Sequence, residues 1–126
     1  MDVLKMIAND RFAHHNGIEL VAVSEGSATT RMVIGTNHLN GVGIVQGGAI
    51  YTLADLALAA ASNSHDVIAV GLTSTIAYFK AEKSGTLLAT AREISLRRTV
   101  ATYQVDVTNQ GDELVASFQG TVYRKA

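Results

Sequence analysis

One carboxylate stands out. Asp55 is the only charged residue between Gly48 and Asn63, in a stretch otherwise made of Ala, Leu, Ile, Tyr, Thr and Ser. An ionisable group among apolar neighbours is costly to bury unless it is paired. No Lys, Arg or His stands three or four residues away, where Tyr51, Thr52, Leu58 and Ala59 lie instead. Two readings are open. Asp55 lies on a thin exposed strip or meets a distant Arg, or it faces a cleft, its pKa raised by apolar surroundings, and serves as general base or nucleophile. Gly47-Gly48 comes just before this stretch. The first amides of a helix lack internal partners and carry the positive end of its dipole, and glycine lets a ligand approach the backbone closely. The pair supplies only a tight turn, or it holds a carbonyl oxygen or an oxyanion. With a carboxylate two turns later, it is a candidate acyl-transfer site.

Other chemistries find little support. There is no Cys, hence no thiolate nucleophile, thiolate zinc site or disulfide framework. His14, His15, His38 and His65 are scattered without metal-ligand spacing. No G-x-S-x-G elbow or Walker-type G-K-[ST] occurs, and Gly41 to Gln46 fails the dinucleotide fingerprint because Gln46 takes its third glycine position. Ser62 and Ser64 read as caps at a helix end. Basic residues group in turns: Lys80 with Lys83, Arg97 with Arg98, and Arg124 with Lys125 at the end. They are solubilising charges, or a rim that grips the phosphates of a long anionic ligand.

The elements that must position these residues follow from periodicity. Asp2 to Ala8 reads as a short amphipathic helix ended by Asn9-Asp10, with a turn at Asn16-Gly17. Ile18–Val23 and Thr29–Ile34 read as strands joined through Glu25-Gly26-Ser27, and residues 37–48 as a Gly-rich loop. Ala49–Asn63 is the clearest helix, rich in Ala and Leu. It is apolar almost all round, which predicts burial on every side. Val67–Phe79, Thr86–Leu96, Thr99–Thr108 and Leu114–Tyr123 read as strands joined by short turns, including a hairpin at Asn109 to Asp112. Consecutive hairpins make an antiparallel sheet, and one helix buried all round implies a sheet curled about it, an α+β architecture.

The chain has 126 residues and a formal net charge of −1. That length predicts one domain, 1–126, and the charge argues against a nucleic-acid partner. Met1 to Phe12 carries four charges and lacks the apolar core of a signal peptide, and no apolar run reaches membrane-helix length. A cytoplasmic location is expected. So short a chain has little length for a lid, so a ligand cleft calls for a wall from a partner subunit.

Asn40-x-x-Gly43-x-x-Gln46-Gly47-Gly48-x-x-x-x-Leu53-Ala54-Asp55 resembles the signature of hotdog-fold acyl-CoA thioesterases, most of all the phenylacetyl-CoA thioesterase-like branch. Gly17-Ile18, Ile76-x-Tyr78-Phe79, Gly85 and Gly120-Thr121-x-Tyr123 extend the resemblance over nearly the whole chain. It implies an antiparallel sheet wrapped around one long central helix. It also implies a homodimer joined edge to edge, often paired into a homotetramer, with each active site between subunits. By carry-over, Asp55 activates water or attacks the thioester carbon. The amide of Gly47, or of its neighbour Gly48, polarises the carbonyl, and Asn40 reaches across to position water or the carbonyl. Thr73 or Ser74 fills the place of a small assisting polar residue. Lys80, Lys83, Arg97 and Arg98 are candidates for the nucleotide phosphates. The substrate is an acyl-CoA, and no separate cofactor is implied because coenzyme A is part of it.

The chain departs from the family's pattern at two places. Gln46 stands where the family usually has His, and Lys80-Ala81 stands where a Pro usually follows the Tyr-Phe pair. Gln46 donates a hydrogen bond but carries no proton, which keeps a non-catalytic acyl-CoA-binding protein as the alternative. The same substitution weakens a hydratase or dehydratase reading, which needs an acid–base pair with His.

Overall fold

The computed structural model describes residues 2–125. The expected strands form one six-stranded antiparallel sheet, and the expected central helix lies in its concavity, the α+β hotdog arrangement. The strands are β1 (Ile18–Ser24), β2 (Ser27–Val33), β3 (Ala69–Tyr78), β4 (Thr86–Leu96), β5 (Val100–Thr108) and β6 (Leu114–Arg124). Their order is β1-β2-β4-β5-β6-β3, so β1 and β3 are the edges. The helices are α1 (Val3–Ala8), α2 (Arg11–His15) and the central α3 (Gly47–Ser62).

The sheet can close tightly on α3 because the helix presents small side chains. Leu53, Ala54, Ala57, Ala60 and Ala61 are fully buried, facing sheet residues such as Met32, Leu87, Ala89 and Val105 that are equally buried. A hydroxyl deep in this contact is satisfied: Thr30 on β2 donates to the Leu53 carbonyl at 2.8 Å. Asn63 fixes the far end of the helix. Its Nδ2 donates to the carbonyls of Ala59 (2.7 Å) and Ala69 (3.2 Å), and its Oδ1 accepts from the Ala69 amide at 2.9 Å. The end of α3 is thereby tied to the start of β3. Ser62 and Ser64 donate to the Ala59 and Ala61 carbonyls, the local role expected of them.

The structure corrects several expectations. α3 begins at Gly47, not Ala49, because the Gln46 side chain caps it, so the two glycines form its first turn and not the end of a loop. Asp10 does not simply end α1. Its side chain caps α2, a five-residue helix too short to show periodicity. Thr36–His38 forms a single 3-10 turn within the glycine-rich region. β3 starts at Ala69, after a turn that includes Asp66 in the left-handed region. Leu114 faces solvent because a bulge where β5 meets β6 shifts the register, leaving Val115 and Ala116 both buried. α3 is not buried on every side either: Asp55 is exposed, and Tyr51, Thr52 and Ala59 are half-buried. Among the described residues no helix is long and apolar enough to cross a membrane.

Candidate active site

Gly47, Tyr51 and Asp55 recur every four residues, so they share one face of α3. That face looks toward β3, the edge strand. Tyr78 of β3 lies over Gly47, donating from its hydroxyl to the Gly47 carbonyl at 2.9 Å. One turn on, the Tyr51 and Ser74 hydroxyls are hydrogen-bonded to each other. Another turn on, Asp55 opens into a cleft of about 220 Å³ lined also by Tyr51, Leu58, Leu72, Thr73 and Ser74. β3 bulges here, between Gly71 and Thr73. Bulges commonly re-aim side chains beside active sites.

The Asp55 carboxylate has no ion-pair or hydrogen-bond partner among the described residues. It is open to solvent on one side and hemmed by the helix and β3 on the other. Desolvation pushes its pKa above the ordinary carboxylate value, and the negative charge of Asp10 pushes the same way. Of the two sequence readings, the structure combines parts of each: an exposed strip that is also a cleft. A carboxylate with raised proton affinity and no partner is equipped to take a proton.

The helix start is organised by Gln46. Its backbone amide donates to the His38 carbonyl at 2.8 Å, and its side-chain oxygen accepts from the Gly48 amide. The Gly48 N–H, which the sequence reading offers beside that of Gly47, is therefore engaged within the chain. The Gly47 N–H, the first of the helix, donates to no acceptor among the described residues. Because the Gln46 oxygen faces Gly48, the amide NH2 of that side chain is the part left to act as a donor outward. A Cβ at Gly47 would stand 3.0 Å from the Tyr78 ring and hydroxyl, so glycine also makes room for that tyrosine. Tyr78 carries no role in the sequence reading, although the quoted Ile76-x-Tyr78-Phe79 pattern contained it. Desolvation raises its pKa, with a further contribution from Tyr51.

The predicted site residues do not all share one hollow. Asn40, Gly47 and Lys80 line a second one of about 330 Å³ together with Ile50, Tyr78 and Phe79. Gln46 and Gly48 border a third, beside Phe12, His38 and Thr52. Asn40 spends its side-chain oxygen on its own loop, accepting from the Val42 (3.0 Å) and Ile44 (3.3 Å) amides. Thr73 and Ser74 both line the Asp55 cleft, and Ser74 is the one bonded to the helix. The two basic pairs are separated. Lys80, paired with Glu82 at 3.4 Å, and Lys83 lie beyond the end of β3, near the start of α3. Arg97 and Arg98 form the β4–β5 turn at the opposite end, where their carbonyls accept from Arg124. Within one chain the two basic pairs therefore do not meet. Among the described residues no His/Asp/Glu group of three is arranged to hold a metal ion.

The chain has clear relatives. Residues 42–116 match the model of the thioesterase superfamily. A protein of Archaeoglobus fulgidus is 40% identical over 120 residues, 94% of this chain and 78% of that one. The acyl-coenzyme A thioesterase PaaI of Escherichia coli K12 is 34% identical over 120 residues, covering 94% of this chain and 86% of its own. Among solved structures, the E. coli PaaI protein from the phenylacetic acid degradation operon superposes with a TM-score of 0.93 at 32% identity, covering 99% of this chain and 91% of that one. The TT0310 protein of Thermus thermophilus superposes with a TM-score of 0.87 at 37% identity, covering 91% of this chain and 97% of that one.

Proposed function

The chain belongs to the thioesterase superfamily, in its phenylacetyl-CoA thioesterase-like branch, and we propose that this thioester hydrolase cleaves an aryl- or short- to medium-chain acyl-CoA to the free acid and coenzyme A. The observation that carries the reading is Asp55, a carboxylate with raised proton affinity and no partner among the described residues, set in a cleft beside the edge strand β3.

The working site needs two copies. β3 is a ten-residue edge strand, long for an edge, and its exposed Val70, Leu72 and Tyr78, with Phe79 just beyond, form an apolar margin. Unpaired edges of this kind invite another strand. Antiparallel pairing of β3 with its copy sets the Tyr78 end of one beside the Ala69 end of the other. The partner's Gly47, under the partner's Tyr78, then approaches Gly71 and Leu72, where Asp55 emerges. Asn40, which shares a hollow with Gly47, arrives with it. The same pairing brings Lys80 and Lys83 of one subunit to the end of the joint sheet that holds the partner's Arg97 and Arg98. The separated basic pairs thus form one rim for the nucleotide phosphates, with pantetheine along the seam. A homodimer is the minimum assembly and a homotetramer its doubling. The cytoplasm, where acyl-CoA is found, is the proposed location.

Chemically, Asp55 takes a proton from a water whose oxygen attacks the thioester carbon. The carbonyl oxygen gains negative charge against the N–H of the partner's Gly47, which is worth more than in bulk water because the donor is fixed in advance. The tetrahedral intermediate collapses, the C–S bond breaks, and the leaving thiolate takes up the proton that Asp55 drew from the water, which restores the carboxylate as the acid departs. The Gln46 NH2 donates to the carbonyl or the sulfur but supplies no proton of its own. No cofactor is required.

The test is thiol release from a panel of acyl-CoAs by wild type and Asp55→Asn. Loss of the base is expected to lower turnover on the order of 100-fold or more. Turnover unchanged in Asp55→Asn refutes the role of Asp55, and tight binding with no release from any ester establishes the non-catalytic binding protein instead. Sedimentation as a monomer at assay concentrations refutes the shared site.

A further inference from the structure

Tyr51 has no part in the steps above, yet it stands on the catalytic face midway between Gly47 and Asp55. Both ends of its side chain are fixed. The ring meets Phe118 edge to face, centroids 5.3 Å apart and planes at 71°, and Phe118 is fully buried on β6. The hydroxyl is bonded to the hydroxyl of Ser74. Either hydroxyl can donate in this pair, and in the arrangement proposed here the more acidic phenol of Tyr51 is the donor. Ser74 then keeps its own proton to give, and the space it lines is the Asp55 cleft.

We propose that Tyr51 is a positioning residue for the hydrolysis, holding the Ser74 hydroxyl so that it donates into the Asp55 cleft to the attacking water. The water then accepts from Ser74 and donates to Asp55, and its remaining lone pair is directed at the thioester carbon. No covalent step is added. A water held by two side chains attacks from a narrower set of orientations than one held by Asp55 alone. The inference rests on Asp55 being the base. It also explains why a tyrosine tolerates a half-buried hydroxyl on this helix: the hydroxyl has a partner that belongs to the site.

Tyr51→Phe keeps the ring on Phe118 and removes only the hydroxyl. With the best acyl-CoA substrate, it is expected to lower kcat about 5-fold, the order of one net hydrogen bond, with KM changed less than about 2-fold. Ser74→Ala is expected to lose at least as much. Adding Tyr51→Phe to Ser74→Ala should cost nothing further, because the phenol then has nothing to orient. A merely structural tyrosine lowers the melting temperature of all variants alike and leaves kcat intact. Unchanged kcat in Tyr51→Phe, or losses that multiply in the double variant, overturns the proposal while the strong effect of Asp55→Asn keeps the Asp55 reading standing. A wild type without thioesterase activity overturns both.

Discussion

Replacing Gly120 by Ala tests how tightly the sheet grips the central helix. Gly120 is buried on β6, and a Cβ there would lie 2.6 Å from Leu58 Cδ2 and 3.1 Å from Phe118 Cε1. Phe118 is fully buried, and Leu58, also buried, can give way only toward the Asp55 cleft that it lines. Two effects oppose each other. Gly120 does not sit in the left-handed region, so alanine fits its backbone and gains about 0.4–1 kcal/mol by restricting the unfolded chain. Overpacking a closed core costs about 1–3 kcal/mol. At the midpoints of these ranges the clash wins, leaving a net loss of about 1.3 kcal/mol. With about 2.1 cal/mol/K of unfolding entropy per residue, a chain of 126 residues loses about 4 °C of Tm per kcal/mol, so the drop is about 5 °C. Leu58→Val removes the δ-methyls in the way, so the double variant should lose clearly less than the sum of the single losses. Thermal unfolding followed by circular dichroism measures all three. A Gly120→Ala protein as stable as wild type, or losses that simply add, refutes the packing argument.

Further outcomes follow from the polar groups. Asp10 raises the Asp55 pKa through its charge, so Asp10→Asn, which keeps a capping side chain on α2, should move the acid limb of kcat/KM to lower pH; an unmoved limb counts against the coupling. For Glu93, desolvation alone would raise the pKa, but hydrogen bonds from Tyr103 and His65 and the charges of His65 and Arg124 outweigh it and hold the carboxyl below its usual value. Its stabilisation is therefore complete above the unfolded-state pKa of about 4.3 and is lost as pH falls through the lower folded pKa. Glu93→Gln should flatten that part of the acid denaturation curve, and equal acid sensitivity in both proteins would show the network to be inert. Asn63→Ala leaves the Ala69 amide and carbonyl without their partners and should cost about 2–4 kcal/mol in denaturant unfolding; a loss under about 1 kcal/mol would mean water replaces the side chain.

Much of the architecture is legible in the sequence because alternation in β5 and β6, and the Ala/Leu density of α3, are patterns that burial itself imposes. Gly47 and Asp55 stand out for a related reason: each breaks a local pattern, by chain flexibility or by charge, whereas Ser74 enters only with Thr73 through the family resemblance. What escapes is set by pairing across the fold. The Gln46 side chain turns two glycines from loop into helix. Asp10 starts a helix that has no period to read. A bulge reverses the outlook of Leu114. The engagement of Gly48 and the support of Tyr51 by Phe118 are likewise tertiary facts, as is the separation of Lys80 from Arg97, which only strand order reveals.

The two sides of α3 have consequences over generations of change. Leu53, Ala54, Ala57, Ala60 and Ala61 meet the sheet with no room to spare, so nearly every altered side chain there endangers the whole molecule. Leu58, Leu72 and Thr73 border the Asp55 cleft at the sheet margin, and for Leu72 and Thr73 an exchange touches little of that interior. A lineage built on this chain can therefore explore new acyl groups by drift at the margin while selection holds the inner side of the helix nearly still. Asp55 can stay in place while the residues that border it change.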